Sequence, residues 1–315
     1  SEAVPTTDDE DSPDDSAPGD TPDDTTTGTG TEAMPSYMCL WAAATASLNV
    51  RTGPGTGFAK KIALYPGTGL MYDGETHDGW HAVLYRGVRH WVSSKVSRLE
   101  AREKYILDLS VYDDVNDWAT LAKYVSFLWL RVACRRKTAT GEVYIDGKFK
   151  QHAAACVKHN IPFGVYVYGR AATVAGGVEE AQKAVVWAES YGPANYMYDI
   201  EAPTLTNASC AAFLAEVARL TGKPAGIYVG HHWSQVNAGQ LPRAFTVCPY
   251  YRDNGGGTHG NRNPSHAHDA HQYTCSGRIP GKADDTDVSH INTDPATNGT
   301  GHDVLWFRSG GKASV

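Results

Sequence analysis

The chain has no uninterrupted apolar run of about 18 residues, so no segment reads as a membrane-crossing helix and no membrane partner is expected. It has no Cys-x-x-Cys pair, which removes the usual spacing of a zinc or redox motif. The six cysteines (Cys39, Cys134, Cys156, Cys210, Cys248 and Cys275) lie far apart. An even count in a secreted chain permits disulfides; equally, these are small residues suited to burial in strands and helices. No glycine-rich fingerprint follows the first buried strand, so a nucleotide cofactor is not indicated. No apolar signal segment opens the chain, which starts at Ser1. That start is read as the product of processing, and it predicts a secreted, extracellular protein.

The first 35 residues hold eleven acids and no base. Residues 36–315 are left with 24 acids against 28 bases, a formal +4 beneath the overall −7. This mild positive balance suits an anionic polymer, and no nucleic acid is expected. Residues 1–36 are mostly Asp, Thr, Pro, Gly and Ser, too poor in large apolar groups to offset the entropy of ordering. They are read as a disordered acidic leader.

Residues 37–100 carry short alternating runs punctuated by Gly and Pro, such as "LNVRTGPGTGF", "GWHAVLY" and "RHWVSSKVSRL". This is the pattern of a small all-β barrel. Leu48-Asn49-Val50-Arg51-x-Gly53-Pro54, then Gly79-Trp80, then Trp91-Val92 resemble the bacterial SH3 domain. The resemblance implies a module that binds cell-wall peptide or glycan and does no chemistry. For Trp80 and Trp91 taken singly, plain barrel core is the favoured reading over ligand contact.

From residue 101 the texture changes. "YILDLS", "FLWLRVA", "PFGVYVYG", "NYMYDIE", "AGIYVG", "FTVCPYY" and "HQYTC" read as buried strands. Between them "WATLAKYV", "FKQHAAACVKHN", "GVEEAQKAVVWAESY" and "ASCAAFLAEVARLTG" have helical spacing. Continuous apolar strands alternating with helices predict an α/β domain at 101–315, a compact, irregular (β/α) barrel with parallel strands.

One strand carries acids where a buried strand should not. Asp199 and Glu201 stand two apart in "NYMYDIEA", so they share a face with Cα atoms ~7 Å apart. They lie at the C-terminal end of their strand, where barrel active sites are built. Asp108 holds the same place in "YILDLS", and Asp287 lies near the last strand, in "DDTDVSHI". Crowded, half-buried carboxyls repel one another and keep at least one protonated. A protonated acid beside an ionised one is what glycosidic bond cleavage requires. Alone, Asp108 would suit a helix cap. The Asp-x-Glu pair could also hold a divalent cation, or pair with Arg131. The convergence of four acids favours catalysis, with no metal and no cofactor.

"DLSVYDDVNDWATLAKYVSFLWLRVA", "DGKFKQHAAACVKHNIPFGVYVYGR", "YMYDIEA", "AGIYVG", "HQYT" and "DTDVSHIN" together resemble a glycoside hydrolase family 25 muramidase over about 104–294. The resemblance implies cleavage of the β-1,4 bond between N-acetylmuramic acid and N-acetylglucosamine in bacterial peptidoglycan. It makes Glu201 the acid/base, with Asp199 assisting and Asp108 and Asp287 completing the cluster. It implies Tyr166, Tyr168, Tyr228 and Tyr273 as substrate-binding residues, and a monomer. The nucleophile is open between Asp199 and the acetamido group of the substrate, the latter being favoured. Two departures stand out. The family's Trp-Gln-Tyr reads His271-Gln272-Tyr273, and an insertion at 252–271 precedes it. The insertion holds His259, His266, His268, His271 and Asp269, and a mobile polar loop is favoured there over a metal site. The alternatives in function are a chitinase-like hydrolase and a non-catalytic wall-binding protein.

Overall fold

The computed structural model describes residues 38–42, 47–64, 69–85, 88–101, 104–137, 141–232, 235–250, 264–292, 294, 296–298 and 300–311. The leader at 1–36 and His259 of the insertion lie outside the described residues. No helix among the described residues is long and apolar enough to cross a membrane.

Two separate sheets organise the chain. The first has seven strands: β1 (Met38–Ala42), β2 (Leu48–Arg51), β3 (Lys60–Leu64), β4 (Gly69–His77), β5 (Trp80–Tyr85), β6 (Val88–Ser93) and β7 (Ser97–Ala101). All its pairings are antiparallel, in the order β3-β2-β6-β5-β4-β1-β7. Leu48, Val50, Leu64, Leu70, Val83, Tyr85 and Val92 form its apolar core. Side chains alternate across a strand, so Trp91 faces away from the core that Val92 enters. Trp91 pairs with Ala82 in register, and Trp80 lies on that same outer face, half-buried. Trp91 is nonetheless buried, at 9% exposure, as the barrel-core reading expects, whereas Trp80 is half-buried; neither joins the cluster around Val83.

The second sheet is a closed barrel. Its strands are β8 (Tyr105–Leu109), β9 (Val125–Arg135), β10 (Val143–Ile145), β11 (Phe163–Tyr168), β12 (Tyr196–Ile200), β13 (Ala225–Val229), β14 (Thr246–Pro249), β15 (Ala270–Gly277) and β16 (Thr286–Ile291). Pairing of β8 with both β9 and β16 closes an eight-stranded ring, and β10 hangs on the outside of β9. Seven ring strands run parallel; β16 alone runs antiparallel to its neighbours. The ring is thus complete in strands. Among the described residues, only a three-residue 3-10 turn lies between β13 and β15.

The expected helices form as α1 (Trp118–Tyr124), α2 (Phe149–Lys158), α3 (Val174–Ala188) and α4 (Asn207–Thr221), with a short α5 (Val304–Ser309) not foreseen. Local chemistry sets their ends. Thr206 and Ser209 form a reciprocal capping box at α4, and Gly222 closes it in the left-handed region at φ 66°. Apolar faces of α2, α3 and α4 place Phe149, Ala181, Ala184, Phe213 and Leu214 against the outward side chains of the barrel. Inside the ring, Trp129 stacks on Phe245, with Phe127, Met197 and Phe307 around them. This plug fills the lower lumen. Trp129 Nε1 donates to Asn195 Oδ1 at 3.1 Å, and Asn195 Nδ2 donates to the Phe307 carbonyl at 3.3 Å. Gly164 must be glycine here, since a Cβ would fall 2.2 Å from Asn195 Oδ1.

One buried acid outside the lumen is fully paired. Glu180 of α3 accepts from Arg135 Nε at 2.7 Å, from the Arg170 backbone N–H and from the Tyr198 hydroxyl. It fixes α3 against β9 and β12, and leaves the unpaired acids to the barrel mouth. Cys156, Cys210 and Cys248 are buried free thiols.

Candidate active site

The barrel mouth is built by strand direction. Asp108 is the penultimate residue of β8, and Asp199 the penultimate residue of β12. Glu201 follows immediately after β12. Asp287 is the second residue of β16. Because β16 is antiparallel, its beginning lies beside the C-terminal end of β8, and Asp287 stands directly opposite Asp108 in register. Their side chains therefore share a face about 5 Å apart at Cβ. All four sequence-predicted acids meet at one end of the lumen.

The electrostatics follow from crowding. Burial pushes the Asp108 carboxyl well above the usual range, and the negative charge of Asp287 pushes it further. The Gln272 amide opposes this, with Nε2 donating to Asp108 Oδ2 at 2.9 Å. Asp199 is also raised, first by burial, then by Glu201 and Asp108, against the pull of the Arg131 cation. Glu201 keeps exposed surface, yet desolvation of its carboxyl at the mouth raises it too. Asp287 is raised to about 7 by burial, then by Asp113 and Glu201, with Lys282 opposing. Four carboxyls this close cannot all ionise at neutral pH, so the mouth holds both proton donors and anions. Oδ1 of Asp108 and Oδ1 of Asp199 are buried without a hydrogen-bond partner. Buried acceptors of this kind are uncommon unless a ligand meets them.

Arg131 does not pair with the catalytic-strand acids. It is held by Asp146, Nε to Oδ2 at 2.7 Å, and its guanidinium lies over the Tyr112 ring at 5.1 Å. Asp146 also caps the backbone N–H of Val111 and of Lys148. The cation is thereby fixed on β9, where it tempers the negative field. Lys282 does the same from the other side, bonded to Asp113 Oδ1 at 2.6 Å and to Asp284. Lys282 and Asp113 were not singled out from the sequence, because both sit in polar turns without periodicity.

The tyrosines divide. Tyr166 lines the lumen, its hydroxyl pKa raised by burial, with Arg131 opposing and Asp108 and Asp199 adding. Tyr168 is the register partner of Asp199, and burial pushes its hydroxyl up to about 12. Tyr228 faces Asp199 from β13, and its hydroxyl donates to Gln272 Oε1 at 2.8 Å. Tyr273 is different. It follows Gln272 on β15 and so turns to the other side, into the cluster holding Leu107 and Val288, with 7% exposure. The structure does not bring Tyr273 to the acids. Gln272 takes that place, linking Tyr228 to Asp108.

A family model described as glycosyl hydrolases family 25 matches residues 107–282. A glycosyl hydrolase 25 of Streptococcus pneumoniae, described as a virulence factor in host cell invasion, shares 26% identity. The match has a TM-score of 0.56 and spans 66% of this chain and 92% of that one. A bacterial lysozyme from Streptomyces coelicolor shares the fold at 17% identity and TM-score 0.50, over 66% of this chain and 98% of that one. So does the modular autolysin LytC of Streptococcus pneumoniae, solved with a synthetic peptidoglycan ligand. It has 17% identity and TM-score 0.51, over 78% of this chain and 57% of that one. No curated protein sequence matches the chain. The matched span contains Asp108, Arg131, Asp146, Asp199, Glu201 and Gln272, and the chain belongs to glycosyl hydrolases family 25 as a glycoside hydrolase.

Proposed function

We propose that this barrel hydrolyses bacterial peptidoglycan as a muramidase, with Glu201 as the acid/base and Asp199 as its assistant. The observation that carries this reading is the convergence of Asp108, Asp199, Glu201 and Asp287 on one mouth, each with a raised pKa. Glu201 is the most exposed of the four, so it can reach a glycosidic oxygen from the open side. It gives its proton to the leaving oxygen as the C–O bond breaks. The acetamido oxygen of the muramic acid residue attacks the anomeric carbon and forms a cyclic oxazolinium ion. Ionised Asp199 orients the acetamido N–H and balances the charge that forms on it. Water then adds at the anomeric carbon and gives its proton back to Glu201. Gln272, Tyr228 and Tyr166 hold this geometry, and the Arg131 cation favours the anionic form of Asp199 against the burial that opposes it.

The seven-stranded sheet is proposed to be an SH3-like wall-binding module. The sequence pattern supports it, together with the position of Trp80 and Trp91 on the face away from the core. We propose a division at 37–100 and 101–315; the last strand of the first sheet ends at Ala101 and the first barrel strand begins at Tyr105. A secreted, monomeric enzyme acting outside the cell is the setting this combination suits. Digestion of purified peptidoglycan, with chitin as the control polymer, tests the substrate. Release from peptidoglycan alone supports the reading, and release from chitin alone removes it.

A further inference from the structure

Of the five residues singled out in the insertion, three described ones have structural duties. His268 Nδ1 bonds the His266 carbonyl at 2.8 Å, and His271 Nε2 bonds the Tyr250 carbonyl at 2.8 Å. Asp269 Oδ2 accepts from the Thr246 backbone N–H at 2.6 Å. His266 does something else. It lies against His231, from the turn after β13, and Cys248, from β14. One ligating atom from each of the three falls within 4.8 Å of the other two. Cys248 Sγ and His266 Nε2 are already 3.6 Å apart. The two imidazole rings are stacked, with centroids 4.9 Å apart.

This trio stands apart from the carboxylates. Cys248 pairs in register with His271, and Pro249 pairs with Gln272, which turns inward to Asp108. Cys248 therefore points out of the barrel, on a stretch where no α-helix is found among the described residues. We propose that His231, Cys248 and His266 form a binding site for zinc or a similar borderline-soft divalent cation, on the outer wall of the barrel.

Five observations support the site. The donor set is two imidazole nitrogens and one sulfur, which suits zinc and offers hard cations such as calcium no oxygen ligand. In a tetrahedral zinc site, such ligand atoms lie ~3.3–3.6 Å apart, so the pair at 3.6 Å needs no movement and His231 needs about 1 Å. His231 Nδ1 is buried without a hydrogen-bond partner, so a ring nitrogen of this residue is left to meet a ligand. His266 is oriented from behind, its Nδ1 lying 3.5 Å from the Ala267 carbonyl, the kind of second contact that fixes a metal-ligating ring. A cavity of about 470 Å³, lined by both histidines together with Asn237 and Arg243, opens on the site and leaves room for a fourth ligand.

Binding is a proton exchange. Burial pushes the Cys248 thiol up to about 12, so at neutral pH it carries a proton. The Sγ–H bond breaks as the Sγ–metal bond forms, and the proton leaves to water. No oxidation state changes. The consequence is mechanical: the metal ties the chain leaving β13 to the chain approaching β15, beside the strand that carries Gln272.

The test uses the full chain stripped with chelator, then titrated with zinc or cobalt(II) alone. The chain has 13 histidines, so adventitious binding must be told from this site. Cobalt bound here gives a thiolate-to-metal charge-transfer band with one equivalent bound, and zinc raises the melting temperature. Cys248→Ser removes the band, and His266→Ala weakens cobalt binding at least tenfold. Cys275→Ser, at the exposed thiol, leaves both unchanged. Circular dichroism and glycan cleavage confirm that each variant is folded, since none of the three residues belongs to the carboxylate cluster. Binding without a thiolate band, a band that survives Cys248→Ser, or no binding above the stripped baseline each overturns the proposal.

Discussion

Replacing Asp287 with Asn should make the chain more stable, and more so at pH 8 than at pH 5. Asp287 has a carboxyl raised from an ordinary 3.8 to about 7 in the fold, chiefly by burial. A carboxyl raised on folding keeps its proton in the native chain after the unfolded chain has lost it. Its contribution to stability is therefore fullest below pH ~4, declines as pH climbs towards 7, and is flat above that. With 1.36 kcal/mol per pKa unit, the acid costs about 2 kcal/mol at pH 5 and about 4 kcal/mol at pH 8. Asn carries no titration, so the gain from Asp287→Asn should be larger at pH 8 by about 2–3 kcal/mol. Any fixed cost of the amide cancels in that difference. The neighbour adds the same sign, because Asp287 raises Asp108 across the strand pair and its removal relieves that too. At roughly 2–4 °C per kcal/mol for a chain of this order, the pH-dependent part is about 5–10 °C. Thermal melts of both proteins at pH 5 and pH 8 read it directly. Equal gains at the two pH values, or a loss only at pH 8, would refute the picture of a strained carboxyl cluster. Activity should fall as stability rises, since the strain is what keeps protons at the mouth.

Glu201→Gln should lower turnover about 10²–10⁴-fold with the fold kept, because the amide fills the space but donates no proton to the leaving oxygen. A variant with more than half the wild-type rate removes Glu201 from the acid role. If the acetamido group is the nucleophile, proton NMR of the first products should show the β anomer; early α anomer excludes it. A chain begun at Glu100 keeps all four acids and the closed ring, so soluble muroglycan should be cleaved at a near-normal rate. Its loss should fall on intact walls, where tethering by the first sheet is worth ~10²–10⁴ in avidity; equal loss on both substrates would make that sheet part of the groove.

Much of this was legible in the chain itself. Apolar runs bounded by turns gave the parallel strands, and Asp199 and Glu201 stood out because alternation puts two acids on one face of a buried strand. The register between β16 and β8 was not legible. "DDTDVSHI" is too polar to declare a barrel strand, and only its antiparallel pairing brings Asp287 opposite Asp108. Tyr273 was misplaced for a related reason: a motif position names a residue, whereas a face depends on register, and Gln272 holds the inward place. Trp91 is buried as its type suggests, though outside the cluster of Leu48 and Val83, while Trp80 is only half-buried. The His231–Cys248–His266 cluster left no motif, because its three members come from separate loops and strands and meet only when β13 and β14 lie side by side.

The central claim is the bond that the four-acid mouth breaks. Mass spectrometry of purified peptidoglycan digested by the full chain reads it from the new reducing ends, after borohydride reduction marks them. The account predicts that the reduced sugar is N-acetylmuramic acid, with Glu201→Gln producing none above background. Fragments ending in reduced N-acetylglucosamine, or release of peptides with intact glycan strands, would contradict it.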